Sequence, residues 1–168
     1  LGAPKRKFSN MSAKLVYKYE NIDGTTSKVK IEINTIDHFQ IFPIIEKEHS
    51  VDSEWFSGKA TLQTYQLEEL IASKIKAMYQ RRKGRDLFDL WYVLDRGLVD
   101  TEKTLKIFKE YNTLCKAKIT RKLLLENLEE KRENPDFLSD TMALLPAGQS
   151  WDFFPAFDLV QSEIAEKI

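Results

Sequence analysis

Cysteine is almost absent from this chain. Cys115 stands alone, so an intrachain disulfide and a zinc site built on cysteines are both excluded. Histidine is nearly as scarce. His38 and His49 lack a spaced partner that would make a metal-ligand pair, and with Asp37 they read as ordinary surface or loop residues. No apolar run approaches the length that spans a bilayer. No secretory signal is visible, and a cytoplasmic location is expected. Neither charge dominates: Lys+Arg and Asp+Glu both number 26, so no global basic field points to nucleic acid and any anion site has to be local. Internal repeats and low-complexity tracts are missing too. What remains is an ordinary globular composition, 42% hydrophobic and 31% charged over 168 residues. That is enough for a real core, expected as a small sheet plus a helical part.

Residues 1–13 are small, polar and basic, with Lys5, Arg6 and Lys7, and read as a poorly ordered lead-in or a severed linker. Lys14 to Glu20 and Lys28 to Asn34 alternate as strands do. Leu15, Tyr17 and Tyr19 lie on one face of the first, and Val29, Ile31 and Ile33 on one face of the second. Turn formers centred on Asp23-Gly24 join them into a hairpin. Glu32 points away from its apolar neighbours, which by itself marks a solvent-facing residue. Glu46 to Glu54 reads as a polar loop, and Trp55 to Leu62 as a short strand.

From Leu67 the period becomes helical. At about 100° per residue, Leu67, Leu70, Ile71, Ile75 and Met78 span an arc of roughly 140°. Lys74 falls in its middle, a cation on the side expected to be buried. Such a lysine either snorkels to water or faces an anion, whether a carboxylate or a substrate phosphate. Gly84 breaks the period and reads as a left-handed C′ residue. Around it crowd Arg81, Arg82, Lys83 and Arg85, which would complement the helix dipole. A second helix begins near Asp86, with Leu87, Leu90, Trp91, Leu94 and Leu98 as its core face. Asp86 suits an N-cap and Asp89 the N3 position.

The remainder is helical. Thr101 to Tyr111 has a threonine cap and packs Leu105 and Phe108. Thr120 to Lys131 presents Leu123, Leu124 and Leu128. Asn134-Pro135 opens a segment that Pro146 to Gly148 ends, and Ser150 caps a final helix holding Phe153, Phe157, Val160 and Ile164. The charge-rich stretch LEEKRE, residues 128–133, reads as a solvated face.

The stretch LEELIASKIKAMYQRRKGRDLFDLW, residues 67–91, resembles the C-terminal signature of the AbiEii/AbiGii toxin family of nucleotidyltransferases. That family, within the polymerase-β-like superfamily, carries L-E-E-L-x-x-x-K, a basic linker and R-D-x-x-D-L. The match is tight over about thirty residues and looser over much of the chain. The resemblance implies a toxin of toxin–antitoxin and abortive-infection systems. Such an enzyme transfers a nucleotide from an NTP, with Mg²⁺, to an acceptor such as an RNA end, and has a cognate antitoxin. It implies catalytic roles for Lys74, Asp86 and Asp89, and contacts from Arg82 and Arg85 to triphosphate or RNA phosphates. Glu32 is implied as a third metal-holding carboxylate, on a late strand of the nucleotidyltransferase sheet.

The expected fold is therefore α+β: a small antiparallel or mixed sheet remnant, residues 1–62, followed by a helical bundle, residues 63–168. The family's first motif, a Gly-Ser turn followed by D-x-D, does not occur in this sequence. Loss of an N-terminal segment and natural degeneracy would both explain this, and the start at Leu1 favours the first. The competing expectation is a non-catalytic helical binding module in which Lys74–Asp86 is a structural ion pair.

Overall fold

The computed structural model describes residues 2–36, 39–145 and 151–168. Asp37, His38, the stop at Pro146 to Gly148 and the cap at Ser150 lie outside the described residues. The chain divides into two compact units, Leu1–Phe39 and Gln40–Ile168.

The first unit is a three-stranded antiparallel sheet in the order β1-β2-β3, with β1 at Lys5–Phe8, β2 at Ser12–Glu20 and β3 at Thr26–Asn34. The hairpin read from the alternation is β2–β3, in register Leu15↔Ile31 and Tyr17↔Val29. Its turn is closed by Asp23, whose carboxylate accepts from the Thr25 N–H at 3.0 Å and hydroxyl at 2.7 Å. Gly24 takes the positive φ of 77° that this turn requires. The supposed lead-in is β1. Ser9 Oγ accepts from the N–H groups of Met11 (3.3 Å) and Ser12 (3.0 Å), forming a side-chain-stapled turn that composition does not announce. Charged residues on an edge strand are a common way to discourage further pairing, which is why β1 does not look like a strand.

The second unit opens with an antiparallel hairpin, β4 (Ile45–Asp52) and β5 (Ser57–Thr64), in register Ile45↔Thr64. The segment read as a polar loop is thus strand β4. Both its faces meet water, so no hydrophobic alternation marks it. Its backbone ladder, a Lys59–Glu48 ion pair at 2.9 Å and the Ser53–Phe56 turn hold it.

Helices follow: α1 (Leu67–Gln80), α2 (Gly84–Asp95), α3 (Thr101–Leu114), α4 (Arg121–Arg132), α5 (Pro135–Ser139) and α6 (Phe153–Glu163). The sheet-then-helix order makes the fold α+β, as expected. The core joins Ile71, Ile75 and Met78 of α1 to Leu87 and Leu90 of α2, Ile107 and Phe108 of α3, Leu124 and Leu128 of α4, and Phe157 and Val160 of α6. Side-chain caps close four helix starts. Thr120 accepts from the Leu123 N–H (3.3 Å) and Asn134 from the Phe137 N–H (3.0 Å), as the sequence suggests. The cap of α3 is Asp100, one residue before the expected Thr101. Asp152 caps α6.

Gly84 departs from its expected role. Only Gly24 and Gly97 take positive φ among the described glycines, and Gly84 is the first residue of α2. Helix α1 ends instead on an extended Arg81 whose N–H donates to the Ala77 carbonyl at 3.0 Å. A Cβ on Gly84 would lie 2.1 Å from the Phe137 carbonyl oxygen, so this glycine lets α5 come close to α2.

Candidate functional site

Helices α1 and α2 place a cluster of charge at their junction. Asp86, in the first turn of α2, is fully buried. It is not the N-cap, which is Lys83, whose side chain makes no capping hydrogen bond. Its carboxylate accepts a bidentate pair from Arg81, Nε to Oδ2 at 2.6 Å and Nη2 to Oδ1 at 2.7 Å. Lys74 Nζ donates to the same Oδ1 at 3.3 Å. Its closer partner is Asp89 Oδ2 at 2.7 Å, one turn further along α2. The Asp86 bond raises the Arg81 pKa above its ordinary value and keeps the guanidinium charged. Two cations therefore bracket one buried carboxylate, and each still reaches water: the Lys74 side chain is 34% exposed and that of Arg81 48%. A charge-assisted fork of this kind fixes both heads in place.

Lys74 is not in the middle of a buried face. The buried residues of α1 are Glu69, Ile71, Ala72, Ile75 and Met78, while Leu67 is 39% exposed. The buried arc is turned by roughly 100° from the one the apolar residues mark, which leaves Lys74 at its rim. The cause is α3, which packs on α1 together with α2. On α2, Val93 is buried although it lay outside the expected core face, and Leu98, counted in that face, lies beyond the helix end and is 50% exposed.

Arg82 and Arg85 behave differently from each other. Arg82 is exposed and makes no ion pair with a described residue. Arg85 is tied to Asp140 through its backbone N–H at 3.4 Å and its guanidinium at 3.9 Å, and Lys83 Nζ donates to Asp140 at 3.2 Å. Burial opposes the Asp140 charge, but Lys83 and Arg85 outweigh it and hold its pKa below the ordinary value.

Glu32 belongs to the other unit. Lys14 at 2.7 Å and Lys30 at 2.9 Å both hold it, and together they lower its pKa to about 2. Among the described residues, no three carboxylate, histidine or cysteine side chains gather into a set that could hold a metal ion. With Glu32 between two ammonium groups and Asp86 filled by Arg81 and Lys74, the described donors do not fit a Mg²⁺ site, which needs free oxygen ligands.

Three supporting residues escaped the sequence. Arg81 looked like a dipole partner but is the main holder of Asp86. Lys131, in the stretch read as solvated, is buried. Its ammonium donates to the carbonyls of Met78 and Tyr79 (the latter at 3.2 Å) and to Asn127 Oδ1 at 2.5 Å, so it closes the C-terminal end of α1. Burial and then Arg82 lower its pKa to about 8. The signal was its place on the Leu124–Leu128–Lys131 stripe of α4. The third is Glu69, also buried, which accepts from the Tyr111 hydroxyl at 2.6 Å and from the N–H groups of Ile41 (2.7 Å) and Phe42 (3.1 Å). The second glutamate of L-E-E-L thus pins the segment before β4, and no apolar period marks it.

A helix pair that displays a lysine one-third exposed and an arginine half-exposed, both held by carboxylates, is suited to meeting an anionic ligand. The family model for the AbiEii nucleotidyl transferase toxin of type IV toxin–antitoxin systems matches residues 3–160, and the chain belongs to that family. No curated protein and no solved structure matches it. Membership makes the chain nucleotidyltransferase-like and implies a cognate antitoxin. Among the described residues no helix is long and apolar enough to cross a membrane.

Proposed function

We propose that this chain supplies the phosphate-neutralising part of a nucleotidyltransferase toxin that moves a nucleotide from an NTP to an acceptor such as an RNA end, within the cytoplasm. The observation that carries this reading is the Lys74 ammonium, one-third exposed and braced by Asp89 at 2.7 Å and Asp86 at 3.3 Å. A cation held in this way loses little freedom when it meets a triphosphate, so its charge acts without reorganisation. Asp86 is the positioning residue, fixing Lys74 and Arg81 together. Asp89 holds Lys74 from the solvent side, where its carboxylate is open to an acceptor hydroxyl. Arg82, exposed and without an ion pair to a described residue, is free to take a phosphate oxygen. Arg85 would have to leave Asp140 to do the same.

In the reaction, the acceptor oxygen forms a bond to the α-phosphorus. The bond from that phosphorus to the bridging oxygen breaks, pyrophosphate leaves, and the hydroxyl proton passes to a base. Mg²⁺ is the expected partner of the triphosphate in this family. The described donors do not assemble a site for it, and Glu32 is a candidate ligand only if it is released from its lysines.

The test is transfer of label from each α-labelled NTP, with Mg²⁺, to RNA by the intact gene product, alongside calorimetric titration of each NTP. Lys74→Met is expected to fold normally and to lose transfer. Absence of both NTP binding and transfer would sink the reading. The second reading, a helical binding module without chemistry, is favoured by the full burial and saturation of Asp86. It requires Lys74→Met to leave transfer and NTP binding untouched while changing stability alone.

A further inference from the structure

The charge balance of the whole chain conceals a segregated sheet. The register of the first unit places Lys5, Lys7, Lys14, Lys18, Lys28 and Lys30 on one face of β1-β2-β3. Phe8, Val29, Ile31 and Ile33 lie on the other. On the basic face the only carboxylate in mid-sheet is Glu32, already taken by Lys14 and Lys30. Lys5, Lys7, Lys18 and Lys28 make no ion pair with a described residue. Two pairs are directly opposed across strands, Lys7↔Lys14 and Lys18↔Lys28. Like charges so placed destabilise a sheet. A face meant only for water would not need to carry that strain twice. It also holds a groove of about 400 Å³ lined by Gly2, Ala3, Lys5, Val16, Lys18 and Lys28, with no acidic side chain in its wall.

We propose that this lysine face binds the sugar–phosphate backbone of RNA, with a phosphate seated in the groove between Lys5, Lys18 and Lys28. Side chains on the face repeat every two residues, about 6.6 Å along a strand and about 4.8 Å between strands, so the ammonium groups form a lattice that a flexible polyanion can follow. Lysine is a point charge without a fixed hydrogen-bonding fork, so binding is insensitive to base sequence. A protein partner is disfavoured because lysine is depleted at protein interfaces and the face has no aromatic anchor. A membrane is disfavoured because the apolar side chains that would insert are on the opposite face. The choice of RNA over another polyphosphate rests on the reading of the acceptor given above, whereas binding itself is independent of transfer.

The experiment is anisotropy of a labelled single-stranded oligoribonucleotide against the full chain, without NTP, at a series of salt concentrations. With about four to six phosphates neutralised, the logarithm of the association constant should fall with the logarithm of salt at a slope of about −3 to −4. Lys5→Gln/Lys18→Gln/Lys28→Gln should weaken binding at least about tenfold near physiological salt and flatten the slope by about 2. The same triple variant should keep or raise its melting temperature, since it removes repulsion; a purely structural role would lower it. Lys74→Met should bind the oligonucleotide unchanged, so loss of transfer and loss of this surface read out separately. An unchanged affinity and slope in the triple variant would overturn the proposal. So would binding to anionic vesicles that the same variant abolishes while RNA binding persists.

Discussion

Asp86 has no route to water, whereas both cations that hold it do. This asymmetry orders the consequences of substitution. Arg81→Met strips a fully buried carboxylate of its bidentate partner and leaves only Lys74 at 3.3 Å, which should cost about 3–5 kcal/mol. Asp86→Asn leaves two half-exposed side chains that can turn to solvent, and should cost less, about 1–3 kcal/mol. Urea unfolding of the two variants decides the matter, and an Asp86→Asn loss equal to or larger than that of Arg81→Met would refute the ordering. Glu32 makes the complementary case at an exposed site. Lys14 and Lys30 should place its titration, followed by carboxyl NMR shifts, near pH 2 rather than 4.5. Its folded pKa is lowered, so its small contribution to stability is present above 4.5 and lost as pH falls through about 2. Lys14→Gln/Lys30→Gln should return the midpoint to the ordinary carboxylate range. Lys74 stood out in the sequence as a cation among apolar helix positions, whereas Asp86 and Asp89 had ordinary capping explanations and were singled out only by the family resemblance; the structure brings all three together. Arg81 did not stand out, because a basic residue at a helix end already has an ordinary explanation and only the fold shows where its fork is aimed.

At the level of elements, two close approaches organise the helical unit. The first is α5 against Gly84. Gly84→Ala would drive a methyl to 2.1 Å from the Phe137 carbonyl, so either α5 or the start of α2 must move. A loss of about 1–3 kcal/mol is expected. Gly97→Ala, in open space at φ 57°, should lose only about 1–2 kcal/mol from the left-handed backbone and leave α5 in place. Hydrogen exchange of the α5 amides distinguishes the two: only the Gly84 variant should speed it. The second approach is Glu69, which joins α1, α3 and the Ile41–Phe42 backbone. Tyr111→Phe removes its hydroxyl partner and should cost about 1–3 kcal/mol, with faster exchange at the Ile41 and Phe42 amides. Burial and the adjacent Glu69 raise the Tyr111 pKa. The stability tied to this bond is therefore full below the ordinary tyrosine value and is lost only as pH climbs through the raised one. Helices were legible from their periods, and β2–β3 from its alternation. Strand β4 was not, because a ribbon wet on both faces has no period, and β1 was hidden by its charges. The rotation of the α1 buried arc was also invisible, since a hydrophobic period sees apolar residues only and Glu69 is buried without being apolar.

Across the whole chain, burial is distributed unevenly. Among the described residues, every buried apolar side chain lies between Ile71 and Ala165, and none in Leu1–Phe39 is buried. The first unit has a half-exposed apolar row at Val29, Ile31 and Ile33 and opposed lysines on its other face, and so has little to stabilise it in isolation. The second unit contains its own core, its helix caps and the Lys74–Arg81–Asp86 cluster. A chain of residues 40–168 should therefore fold alone, with the helical circular dichroism of the intact chain and a single cooperative urea transition. The peptide of residues 1–39 should show no cooperative transition at all. If the helical unit lost its transition on removal of the sheet, the core inventory would be incomplete and the two units would have to be treated as one folding body. If it keeps the transition, the charge cluster is held by the helices alone. RNA binding at the lysine face should then vanish on truncation while NTP binding at Lys74, if the helical unit suffices for it, survives.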